Sequence, residues 1–180
     1  MKNIRDQAIV LDMEYAETKL EPVSSRTPQF KSLHFSNITA ETKQAIYING
    51  LVEMPVEDIS FNNIQFESET GILLKNANNV EFHNVRISTK EGPSLAAENA
   101  QNIIVDGVST LTPVMNVALV TLTDVHNVFL YNNSPRPGSD IFVELKGAKT
   151  KDIHFKGNNF KYVRQPIIKA NEVHQTINVE

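Results

Sequence analysis

The sequence predicts an all-β solenoid, a single parallel β-helix domain over residues 1–180 with about six to seven coils, and three observations carry that expectation. A short apolar motif recurs every 21 to 26 residues. A second apolar strand follows each copy at a nearly constant distance. The chain also holds 19 Asn against only 7 Gly, and the Asn fall in register with the motif.

The motif copies read LHFSNI from Leu33, ISFNNI from Ile59, VEFHNV from Val80, IIVDGV from Ile103, VFLYNN from Val128 and IHFKGN from Ile153. Each is apolar, any, apolar, any, then Asn or Gly. The second strands are AIYI at Ala45, GILL at Gly71, SLAA at Ser94, VALV at Val117, IFVEL at Ile141 and PIIK at Pro166. Their equivalent apolar residues follow the first by 13, 13, 15, 16, 13 and 14 positions, at Ile46, Ile72, Leu95, Leu119, Ile141 and Ile167. Alternation with period two excludes the helical repeats, which need an apolar period of 3.6. Leucine-rich repeats have a similar length, but their fixed Leu framework and helical return segment are missing. A parallel β-helix stacks each strand on its counterpart about 4.8 Å along the axis.

Stacking generates ladders. Leu33, Ile59, Val80, Ile103, Val128 and Ile153 form one inward row, and Phe35, Phe61, Phe82, Val105, Leu130 and Phe155 a second. The fifth position gives Asn37, Asn63, Asn84, Gly107, Asn132 and Gly157. A bend between sheets needs residues that tolerate a left-handed backbone, and stacked Asn amides can bond along the ladder. These Asn are expected to point inward, which sets aside the sequons NIT at Asn37 and NNS at Asn132 as glycosylation acceptors. EMPVED and SPRPGSD read as turns, with Gly138 free to take a positive φ.

At the start, MKNI aligns with FSNI, which places Met1 opposite Phe35 and Asn3 on the Asn ladder, and QAIVLD (7–12) matches QAIYIN (44–49). A solenoid needs a capping element over its terminal coil. The chain therefore reads as the C-terminal part of a longer β-helix, with end-to-end self-association through an open N-terminal coil as the alternative.

Composition narrows the partners. A net charge of −4 and 21% charged residues lack the basic stripe of a nucleic-acid surface. No apolar run is long enough to span a bilayer, and no signal segment opens the chain. With no Cys and five scattered His at 34, 83, 126, 154 and 174, neither a metal site nor another cofactor is expected.

The segments NIRDQAIVLDMEY, TPQFKSLHFSNITA, QAIYINGLVEMPVEDISFNNI and GILLKNANNVEFHNVRI resemble the C-terminal coils of glycoside hydrolase family 28, the polygalacturonase-like enzymes. AIYINGLVEMPVEDISF is the most specific part, and the resemblance runs from about residue 1 to about 133. It implies a right-handed, pectin-lyase-like β-helix that hydrolyses α-linked galacturonic acid, or a related uronide or rhamnoside, with inversion. It also implies a secreted or periplasmic parent whose partner is pectin or a related polysaccharide. The family's catalytic segments are Asn-Thr-Asp, Asp-Asp, Gly-His-Gly and Arg-x-Lys types. None occurs in this chain, so no catalytic residue carries over.

The remaining acids offer little. Inverting glycosidases need two carboxyls about 6.5–9.5 Å apart, or about two coils of a β-helix. In the row Asp12, Asn49, Lys75, Glu98, Leu122, Glu144, Ala170, only Glu98 and Glu144 stand two coils apart. His83 and Asp106 are expected to be outward neighbours in the row Ser36, Asn62, His83, Asp106, Tyr131, Lys156, reading as a polar outer ladder. The longest loop, AETKLEPVSSRTPQ (16–29), lies nearest the family's catalytic coils, and makes Tyr15, Lys19 and Arg26 the candidate substrate contacts. A non-catalytic carbohydrate-binding or self-assembling β-helix is the competing function.

Overall fold

The computed structural model describes residues 4–14, 22–174 and 177–179. These form an all-β, parallel solenoid of about six turns, with no helix. Its strands are β1 (Ile4–Asp12), β2 (Lys31–Asn49), β3 (Val56–Thr89), β4 (Leu95–Asp106), β5 (Ala118–Thr123), β6 (His126–Tyr131), β7 (Ile141–Lys146), β8 (Lys151–Lys156), β9 (Gln165–Lys169) and β10 (Asn178–Val179). Every pairing between them is parallel.

The long strands β2 and β3 bend around the solenoid without breaking, so each coil presents three faces. The first face stacks residues 33–36, 59–62, 80–83, 103–106, 128–131 and 153–156. The second carries 38–42, 64–68 and 85–89, and the third carries 9–12, 46–49, 72–75, 95–98, 120–123 and 143–146. Inside run the expected rows: Phe61, Phe82, Val105 and Leu130 are fully buried, and Phe35–Phe61–Phe82 stack with ring centroids 5.2 Å apart.

The corners explain the Asn excess. Asn37, Asn63, Asn84 and Asn132 all have φ between 49° and 57°, and Gly107 and Gly157 continue the row at 68° and 67°. A second left-handed row, Asn76, Asn99, Asp124 and Gly147, closes the third face. A third, Ser32, Asp58, Asn79, Asn102, Asn127 and Asp152, opens the first. Asn and Asp tolerate this conformation better than other residues with a Cβ, because their short polar side chains bond locally. Hydrogen bonds between side-chain amides link the rungs: Asn63 donates to Asn37 at 2.7 Å, and Asn99 donates to Asn76 at 2.6 Å.

Two expectations need correction. The fifth-position Asn face solvent, not the core, and Asn37 and Asn132 are exposed. A left-handed residue bends the strand and shifts its in/out alternation by one, so the next residue turns in instead: Ile64, Val85 and Val108 are buried, as is Asn133. The sequons are therefore not hidden by burial. At the start, Gln7 pairs with Gln44 and Asp12 with Asn49 as expected, but Ile4 pairs with Thr42 and not with Ile38. A register shift between Ile4 and Gln7 separates the two segments, and Met1 and Asn3 lie outside the described residues.

Candidate functional site

The third face projects two outward columns. One runs Val10, Tyr47, Leu73, Ala96, Thr121, Glu144, and the other Asp12, Asn49, Lys75, Glu98, Thr123, Lys146. Strand alternation sends them outward while Ile46, Ile48, Ile72 and Leu74 fill the core. At the N-terminal end of these columns lies a cleft of about 350 Å³, lined by Glu14, Tyr47, Asn49, Lys75, Asn76, Glu98 and Asn99.

Its polar groups are held before any ligand arrives. Asn49, only 6% exposed, donates through Nδ2 to Asp12 Oδ1 at 3.1 Å and to Glu14 Oε2 at 3.2 Å. Lys75 Nζ lies 3.0 Å from Glu98 Oε2. Asn76 donates to the Gly50 carbonyl at 2.8 Å, which anchors the corner amide that Asn99 bonds in turn. Tyr47 stands half-buried among them, offering a ring face beside amides, an ammonium and carboxylates. An aromatic surface flanked by fixed donors and acceptors suits a ring that is apolar on one face and hydroxylated at its edge.

A larger groove, about 630 Å³, follows the downstream edge of the second face. Glu41 and Glu67 are adjacent rungs there, with Arg5, Lys43, Glu69 and Lys90 around them. Glu41 and Glu67 are both solvent-exposed, and Lys90 pairs with Glu69 at 3.4 Å. The groove has no aromatic surface.

The Glu98–Glu144 alignment, which the spacing offered without making it a catalytic pair, is not formed. The all-apolar VALV shifts the register, so Leu95 pairs with Val120 and not with Leu119, and Val120 with Val143 and not with Ile141. Glu98 consequently faces Thr123, not Leu122, while Glu144 faces Thr121 in the other column and pairs with Lys146 at 2.9 Å. Asp12 and Glu98 share a column but stand three coils apart, about 14 Å at the ladder spacing and beyond the inverting range.

His83 and Asp106 are neighbours as expected, Nδ1 to Oδ2 at 3.2 Å, and the other ring nitrogen meets Glu81 at 3.1 Å. Partial burial alone pulls the imidazole's pKa down, but hydrogen bonds and charge from Glu81 and Asp106 outweigh it, and the net shift is upward from 6.5. With both nitrogens on carboxylates, no base remains to activate a hydroxyl; the nearby Ser60 bonds His34 at 2.7 Å. Among the described residues, no three His, Cys, Asp or Glu gather in a way that could hold a metal ion.

Of the predicted substrate contacts, Tyr15 and Lys19 lie outside the described residues. Arg26 is exposed in a tight turn, where its amide donates to Ser24 Oγ at 3.2 Å, and it does not line the third-face cleft. The sequence reading did not single out Tyr47, although its outward position in AIYIN follows from the alternation.

No family model matches the chain, and no curated protein matches it. Among solved structures, the chain is similar to a crystal structure from Parabacteroides merdae described as a "putative glycosyl hydrolase", at 9% identity and a TM-score of 0.48. That likeness covers 84% of this chain and 80% of the other. At that distance it says nothing of substrate or chemistry.

Proposed function

We propose that this chain is the C-terminal β-helix portion of a polygalacturonase-like glycoside hydrolase, and that its third face holds a uronide polysaccharide without cleaving it. The observation that carries the reading is the cleft around Tyr47, an aromatic ring with Asn49, Lys75, Asn76 and Asn99 fixed about it. The sequence resemblance supplies the substrate class, and Lys75 supplies a cation for a uronate carboxylate. The Glu98–Glu144 alignment is absent from the columns of this face, and the sequence resemblance puts the family's catalytic segments on coils other than these.

Affinity electrophoresis in gels containing polygalacturonate tests it. The wild type should be retarded, Tyr47→Ala should lose at least fivefold in affinity, and Lys75→Ala should weaken binding more at low salt than at high salt. Reducing ends should not accumulate. A self-standing carbohydrate-binding module would behave the same way here, but would bind neutral galactan as well as the polyuronide. Retardation unchanged by Tyr47→Ala, or reducing ends released by the wild type, would contradict the proposal.

A further inference from the structure

A third pocket, of about 330 Å³, opens at the corner between the first and second faces, remote in the coil from Tyr47. Its wall is the left-handed corner of Gly107 and Asn132, with Ser109 beside it. Its rim is the loop Ser134, Pro135, Arg136, Pro137 on one side and Tyr162 on the other.

Three features set it apart from the clefts above. Its lining contains a guanidinium and no carboxylate, in a chain of net charge −4. The nearest acids in sequence are already engaged: Asp106 with His83 and Asn132, and Asp140 with Arg164 and the Asn116 amide. Among the described residues, the side chains of Arg136, Ser109 and Ser134 have no hydrogen-bond or ionic partner.

The second feature is rigidity. Arg136 sits between two prolines that fix φ, and Ser139 N bonds the Arg136 carbonyl at 3.0 Å to close the turn. Gly138, at φ 96°, completes it. The guanidinium therefore projects from a backbone that loses little freedom on binding. The third is the ring. Tyr162 is 50% exposed, with the Lys161 ammonium 5.2 Å from its centroid.

We infer that this corner pocket binds a carboxylate-bearing sugar, its ring against Tyr162 and its carboxylate in a bidentate pair with Arg136. Guanidinium matches the carboxylate fork in geometry as well as charge, and the Ser109 and Ser134 hydroxyls meet the sugar's own. The choice of a uronate rests on the function proposed above; the preference for an anion comes from the lining.

Ring-13C labelling of the four tyrosines, followed by NMR titration with trigalacturonate and with neutral galactotriose, tests the inference. Trigalacturonate should shift the Tyr162 signals and galactotriose should not. Arg136→Ala should weaken the Tyr162 response at least tenfold while leaving Tyr47's unchanged, and Arg136→Lys should recover only part of it. Equal melting temperatures for the variants exclude a folding defect. Shifts confined to Tyr47 overturn this site and leave the third-face reading standing. Shifts confined to Tyr162 do the reverse. Equal shifts from the neutral trisaccharide, or no shift from either, overturn the inference.

Discussion

His83 is the residue whose charge state the fold controls most visibly. Glu81 and Asp106 hold its protonated form, so its folded pKa lies above the ordinary 6.5 despite the opposing effect of partial burial. For a group raised on folding, the stabilisation is complete below the unfolded value and disappears as pH rises through the folded one. The wild type's advantage in melting temperature over His83→Gln should therefore be full near pH 5.5 and fall away through neutral pH. Melting curves of both across pH 5.5–8.5 check this, and an advantage that grows with pH would refute the pairing. This pair was legible in the sequence because both residues lie on one outward row. The third partner, Glu81, was not singled out, since a residue two positions along a strand shares the face without being a rung neighbour. The corner Asn are legible as left-handed residues but not as outward ones, because period-two alternation read straight through a bend puts them inside, and the bend shifts that alternation by one.

At the level of elements, the ladders carry the stability. Phe61 is fully buried between Phe35 and Phe82, both 5.2 Å away, so it packs against two coils at once. Phe61→Ala should cost about 3–5 kcal/mol, read as a shift in the urea midpoint. Because each coil contacts only its neighbours, the loss should also speed amide exchange in the adjoining strands more than in β9. The first-face strands were legible, since LHFS, ISFN, VEFH and IHFK alternate cleanly and the repeat carries the same register through IIVD and VFLY. The second strands of the later coils were not. Ala118, Leu119 and Val120 are all buried, and so are Phe142 and Val143, so alternation is silent where loops cover the outer surface as well. That silence moved the expected register by one residue at Leu119 and by two at Ile141, and it created the apparent Glu98–Glu144 alignment.

Over the whole molecule, six or so turns of parallel strand turn a one-dimensional repeat into columns of side chains at about 4.8 Å. A column is an effective way to present repeating contacts to a linear polymer, and a poor way to assemble two dissimilar carboxyls unless the sequence supplies them two rungs apart. The fold was legible because repetition averages over local ambiguity. The cleft was less so, because it depends on which single outward residue, here Tyr47, has Asn49 and Lys75 beside it in register. The proposed hold of the third face on a uronide polymer should leave a footprint on its backbone. Hydrogen exchange with and without polygalacturonate measures this most directly. Exchange should slow in residues 45–50, 73–76 and 96–99, with β8 on the first face unchanged. Unaltered exchange in those three segments at saturating polymer would contradict it.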